Sequence, residues 1–304
     1  MNKIWIIVSI MMIVILLMGC QPLKTGADNR KIVVVTYSVM GSLVKELVGD
    51  QAEVRVSIPN GQDPHEWQPS AKDIETINNA SLVVCNGLGL ESGLTGAIAA
   101  AKQHGVQVFT ASDYVMVRHV GTGEGIPGGD PDQALGALDP HIWMDPFTMQ
   151  KVAAALAPRL KIVLNIDIAD KSQKLQSELS GLDQNIRQIL SPLPESERKL
   201  VTGHESLGYF ADRYNFKVVG AIIPSISTQA GVSASDLAAL KILIQQNQVK
   251  AIFTELGTSP AAAEAIGKET GVKVAELNTH KLPPDGQYAT FMKTLAQDIV
   301  EALK

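Results

Sequence analysis

Apolar residues recur along this chain in two rhythms. Short runs such as Ile32-Val33-Val34-Val35 are apolar at every position, the pattern of a strand buried on both faces. Longer stretches are apolar only every third or fourth residue, as in Leu175, Leu179, Leu182, Ile186 and Leu190, the spacing of one helix face. Taken in order, the first half predicts strands at Ile32–Val35, Val54–Ile58, Leu82–Cys85 and Val106–Phe109. Helices are predicted between them at Met40–Val48, Asp73–Asn79 and Leu94–His104. Such alternation predicts a parallel sheet with helices on both faces.

The second half repeats the scheme. Strands are predicted at Lys199–Val201, Lys217–Ile223, Val249–Phe253 and Val272–Leu277, with a helix at Leu207–Tyr214. Two strands of corresponding place end in Ile-Pro, and Ser70-Ala71-Lys72-Asp73-Ile74 is echoed by Ser233-Ala234-Ser235-Asp236-Leu237. The fold class read from this pattern is α/β, with two similar lobes at 31–146 and 195–304. The region 147–194 between them is mostly helical, with Asp167 or Asp170 as its break or cap, and Ser191-Pro192-Leu193-Pro194 ends it. Its later part is a helix of about 20 residues, roughly 30 Å long, enough to run from one lobe to the other. The segment Val120–Gly136 is rich in glycine and reads as a surface loop.

The chain's start changes the picture of where it works. Lys3 precedes an apolar run of about fifteen residues, Ile4–Met18, short of the roughly 20 that span a bilayer. It suits a signal peptide at 1–19. Leu17-Met18-Gly19-Cys20 resembles the lipobox of bacterial lipoproteins, with Cys20 lipidated after cleavage and residues 20–30 forming a tether. The expected location is extracytoplasmic, on the cell membrane. Removing 1–19 takes away one lysine and no acid, so the formal charge of −5 becomes more negative. That balance argues against a nucleic-acid partner. With Cys20 acylated, Cys85 is the one thiol left, so no disulfide framework holds the fold; in its apolar run it is expected to be buried and inert.

Four histidines carry the candidate chemistry. His65 and His141 sit in near-duplicate phrases, Asp63-Pro64-His65-Glu66-Trp67 and Asp139-Pro140-His141-Ile142-Trp143. Asp-Pro is the grammar of a helix start, which would place each histidine just after a stiffened turn. His204 and His280 follow predicted strand ends, where doubly wound sheets bind ligands. Neutral imidazole is a common ligand for borderline transition metals, zinc above all. His104 closes a helix, and His119 edges the glycine-rich loop with Glu124, Asp130 and Asp132 beyond it. Glu66, Glu205 and Glu255 are candidates to orient the imidazoles.

The lipobox, Asp63-Pro64-His65-Glu66-Trp67-Gln68-Pro69-Ser70, Asn86-Gly87-Leu88-Gly89-Leu90-Glu91, Asp139-Pro140-His141-Ile142-Trp143-Met144-Asp145-Pro146 and Thr202-Gly203-His204 together resemble the zinc/manganese solute-binding proteins of ABC transporters. The resemblance implies two α/β lobes joined by a rigid backbone helix, with metal in the cleft between them. It implies His65 and His141 as ligands from the first lobe and His204 as the third. At the fourth position, where relatives commonly carry aspartate after threonine, this chain has Thr279-His280; either His280 ligates, or Asp285 or water completes the shell. The partners implied are a permease and its ATPase, served by a monomeric carrier that is not an enzyme.

Nitrogen-rich ligation suits Zn²⁺, while Mn²⁺ prefers oxygen and higher coordination. A manganese carrier of the same type and a metal-chelate binding protein are the alternatives, and a zinc hydrolase is a further one should an open coordination position exist. Affinity is expected to fall with acid, because imidazole titrates near pH 6.5.

Overall fold

The all-apolar run that opens the first half forms β1 (Ile32–Tyr37), buried from Val33 onward and central in its sheet. It is followed by α1 (Ser38–Val48), β2 (Glu53–Ile58), α2 (Ala71–Asn78), β3 (Leu82–Cys85), α3 (Thr95–Gln103) and β4 (Gln107–Thr110). The strands are parallel in the order β2-β1-β3-β4, so the order reverses between β1 and β3. The computed structural model describes residues 31–121 and 136–304. The leader at 1–19, Cys20 with its tether, and Glu124, Asp130 and Asp132 lie outside the described residues.

The middle region is two helices. In α4 (Pro146–Leu164) Asp145 is the N-cap, accepting from the backbone N–H of Phe147 at 2.9 Å and Thr148 at 3.1 Å, with Pro146 in the first turn. Asn165, left-handed at φ 55°, ends it. Asp167 accepts from Ala169 N–H at 3.2 Å as α5 (Ala169–Leu190) begins. The five apolar residues at helical spacing in α5 are its buried set, each contributing roughly 1.5–3 kcal/mol by leaving water. This face packs on α4, on α1 and on the last helix of the chain.

The second half supplies β5 (Lys199–Thr202), α6 (Gly208–Tyr214), β6 (Lys217–Ala221), α7 (Ala234–Asn247), β7 (Ala251–Thr254), α8 (Pro260–Thr270), β8 (Lys273–Glu276) and α9 (Tyr288–Leu303). β5 pairs with β6 and β7 with β8, both parallel, and β5 lies beside β7. The spatial order therefore repeats that of the first lobe. The echoed serine phrases do the same job in both: Ser70 with Asp73 and Ser233 with Asp236 form complete capping boxes at the starts of α2 and α7.

One apolar core runs without a break from Val33 in β1 through Leu182 and Ile186 of α5 to Phe253 in β7 and Leu303 in α9. A smaller core, including Val201, Val219, Leu240, Ile252 and Ile266, sits under α7 and α8. The last helix returns from the second lobe to pack on α5 and α1. Among the described residues no helix is long and apolar enough to cross a membrane.

Candidate metal centre

All four histidines lie beyond carboxyl ends of parallel strands: His65 after β2, His141 ahead of α4, His204 two residues after β5, His280 four residues after β8. That is where a sheet whose order reverses opens a crevice. The two Asp-Pro-His phrases are not helix starts, a correction to the expectation. Asp63 and Asp139 turn their carboxylates back onto the chain, each accepting from the backbone N–H of the histidine two residues on, at 2.9 Å in both. These are Asx turns, and of the phrases' three Asp-Pro pairs only Asp145-Pro146 starts a helix. The consequence for the imidazoles is the anticipated one, a fixed backbone direction.

The side chains converge. His141 Nε2 is 3.4 Å from His65 Nε2 and 3.2 Å from His204 Nε2. One nitrogen from each of the four, His280 included, lies within 4.8 Å of every other, and all four residues are buried. Asp139 Oδ1 accepts from His141 Nδ1 at 2.8 Å, which fixes the proton on Nδ1 and turns the Nε2 lone pair toward His65 and His204. Thr279 Oγ1 is 2.8 Å from His280 Nδ1, while His280 Nε2 is buried with no hydrogen-bond partner. Lone pairs converging on one buried point repel each other unless a cation lies between them, and this donor set could hold a metal ion.

Electrostatics agree. Burial first, then the neighbouring His141, pushes His65 down to about 3. Burial drives His280 to about 3, with Asp63 pulling the other way. His204 is held well below the ordinary imidazole range by burial and by the other three rings. These three stay neutral, the state a metal requires.

The imidazoles are braced by residues from both halves of the chain. Glu255, just past β7, accepts from Gly203 N–H at 2.9 Å and His204 N–H at 3.4 Å and stands 3.5 Å from His204 Nδ1. Trp143 is fully buried; its indole N–H donates to the Thr279 carbonyl at 3.0 Å, and its ring lies against His141 and His280. Thr228 donates to Asp63 Oδ2 at 2.7 Å, and Gln229 donates to the His65 carbonyl. Asn86 donates to the Pro140 carbonyl at 2.9 Å, and its own backbone N–H is held by buried Glu91 at 2.7 Å. The Asn86–Glu91 phrase thus braces the turn that carries His141.

Other candidates lie elsewhere. Glu66 is exposed, because the next residue of a tight turn faces away from its neighbour. Asp285 is exposed and occupied with its own turn, accepting from Gln287 N–H at 3.0 Å and Thr290 Oγ1 at 2.7 Å. Neither joins the cluster, a correction to both expectations. Glu205 is buried, its backbone N–H bonded to the Ser225 carbonyl at 2.9 Å, beside a cleft lined by Arg118 and Thr202 rather than among the imidazoles. His119 is exposed with Nδ1 3.0 Å from the Gly136 carbonyl, and His104 caps α3. Asp63, Asp139, Thr228 and Thr279 support the site without having been expected to. An aspartate two residues before each histidine was the available signal for the first two.

The family model described as ZnuA, zinc-uptake complex component A periplasmic, matches residues 33–302. The chain belongs to this family. The manganese ABC transporter substrate-binding lipoprotein PsaA of Streptococcus pneumoniae is 28% identical over 293 residues, 92% of this chain and 91% of the relative. The high-affinity zinc uptake system protein ZnuA of Bacillus subtilis strain 168 is 29% identical over 268 residues, 86% of this chain and 83% of the relative. The solved structure of the periplasmic zinc binding protein TroA from Treponema pallidum matches with a TM-score of 0.73 at 25% identity, covering 90% of this chain and 99% of that one. The ZnuA-family chain described here is therefore a metal ABC transporter substrate-binding protein with the two-lobe fold. Such proteins carry cargo rather than catalyse, which disposes of the hydrolase alternative. Relatives are named for both zinc and manganese, so membership in the family leaves the ion open.

Proposed function

We propose that this chain captures Zn²⁺ outside the cytoplasm, anchored to the cell membrane through acylated Cys20, and passes it to an ABC permease driven by its ATPase. The ligands in this reading are His65, His141, His204 and His280. The observation that carries it is the all-nitrogen donor set with Nε2 spacings of 3.2 and 3.4 Å. A tetrahedron with zinc–nitrogen distances of roughly 2.0–2.1 Å has an edge of about 3.3–3.4 Å. The unpartnered Nε2 of His280 favours it as the fourth ligand over Asp285. Manganese would want oxygens, and Glu255 and Asp63 are already engaged by backbone or hydroxyl donors. Four nitrogens within 4.8 Å leave room for an ion and not for a metal chelate. Because one core joins both lobes, loading is a small settling of loops rather than wide hinge closure.

Calorimetric titration of metal-stripped protein with Zn²⁺ and then Mn²⁺ tests this. One-to-one zinc binding that manganese displaces poorly is the expected result. Equal or tighter manganese binding would overturn the assignment of cargo.

A further inference from the structure

The carboxylate that orients His141 is shared with a buried cation. Asp139 Oδ1 takes the His141 Nδ1 proton at 2.8 Å, while Oδ2 faces Arg118 Nη1 at 3.3 Å. The side chains of Arg118 and Asp139 are 8% and 0% exposed, so water screens the pair weakly. The guanidinium does not stop there. Its Nε donates to Asp212 Oδ2 at 2.8 Å, and Asp212 is 63% exposed on α6 of the other lobe. Tyr209, also on α6, accepts from the Arg118 backbone N–H at 2.8 Å and donates to the Asp139 carbonyl at 3.3 Å. Gly208 makes the approach possible: a Cβ there would come within 2.4 Å of Arg118 Nη1 and 2.6 Å of Asp139 Oδ2. The result is a continuous path, His141–Asp139–Arg118–Asp212, from the metal centre to solvent.

We infer that Arg118 is a positioning residue that restrains the strength of the metal site through Asp139, with Asp212 as its surface counter-charge. The inference rests on His141 being a metal ligand. A carboxylate bonded to the far N–H of a metal-bound imidazole makes that imidazole a stronger donor. A guanidinium on the carboxylate's second oxygen draws negative charge away from the imidazole, and its own positive charge opposes a dication. Asp212 offsets part of that charge from outside. A carrier has to let its cargo go, and this arrangement keeps a four-histidine site from binding as tightly as its donors allow. It also gives the surface a handle: a basic group that engaged Asp212 would leave more of the guanidinium charge on Asp139 and loosen the metal.

The test compares zinc affinity and chelator-driven release rates of the full, metal-stripped chain in Arg118→Met, Arg118→Lys, Asp212→Asn and His141→Ala. Arg118→Met is expected to bind zinc several-fold to about tenfold tighter, at the low end of the range for outer groups around a metal, and to release it correspondingly slowly. Asp212→Asn should shift both quantities in the opposite direction, and Arg118→Lys should recover part of the Arg118→Met change. A purely structural role predicts weaker binding in every case, so weaker binding by Arg118→Met overturns the inference. Should Arg118→Met not fold, Arg118→Gln takes its place with the same expectation of tighter binding, and weaker or unchanged affinity there overturns the inference equally. His141→Ala separates the two readings: undiminished zinc binding by that variant would sink the ligand assignment itself.

Discussion

Buried histidines make an unusual prediction about acid. Zinc affinity of the folded protein should fall far less between about pH 7.5 and about pH 5.5 than three ordinary imidazole ligands would make it fall. An imidazole with the ordinary pKa of about 6.5 is mostly protonated at pH 5.5 and must lose that proton to bind metal, a weakening of about elevenfold per ligand. Three such ligands would weaken binding roughly 10³-fold, or about 4 kcal/mol. Here burial and neighbouring rings hold His65 and His280 at about 3 and His204 well below the usual range, so these three give up almost no proton to the metal in that window. This replaces the expectation that imidazole ligation alone makes binding fall there. The proton linkage appears instead in folding. The folded pKa values lie below the unfolded one, so the unfolded chain takes protons first as pH drops below about 6.5. Stability is fully present above that point and is lost progressively toward pH 3, by about 1.4 kcal/mol per pH unit for each imidazole. The assay is competition calorimetry with a chelator at both pH values and matched ionic strength, with thermal melts of metal-free protein alongside. A 10³-fold loss of affinity by pH 5.5 would refute the reasoning and mean that the metal-free protein hydrates its histidines.

Other perturbations follow from particular contacts. His280→Ala leaves three nitrogen ligands, and chelator competition should show a large loss of zinc affinity with Asp285→Ala unchanged; the reverse order would reinstate the exposed aspartate. Thr228→Val removes the hydroxyl held by the Asp63 carboxylate, a hydrogen bond to a charged group worth roughly 1.5–3 kcal/mol, and stopped-flow zinc release should quicken. Ile186→Ala in α5, fully buried in the shared core, should lower stability by roughly 2–5 kcal/mol, measured by denaturant unfolding of metal-free protein so that ligand linkage does not mask it.

The periodicity of the chain determined its elements. β-branched runs gave the strands, Leu175 to Leu190 gave the long helix, and the paired Ser-x-x-Asp phrases marked the starts of α2 and α7, because these depend on neighbours within a turn or a pleat. The helix α9 was not anticipated, although Tyr288, Phe291, Met292, Leu295 and Ile299 recur at helical spacing, and nothing local says that it returns to pack on α1 and α5. The identity of the four candidate ligands was likewise legible, since imidazole beside a stiffened turn is a local property. Which carboxylate serves which histidine was not. Glu66 is adjacent in sequence and faces outward, whereas Asp139 and Glu255 reach His141 and His204 from a turn and a distant strand end. Thr228, Gln229, Trp143 and Arg118 lie tens of residues from the groups they brace. Their contacts exist only once the chain brings its strand ends together, and burial there, not the residue type, keeps His65, His204 and His280 neutral.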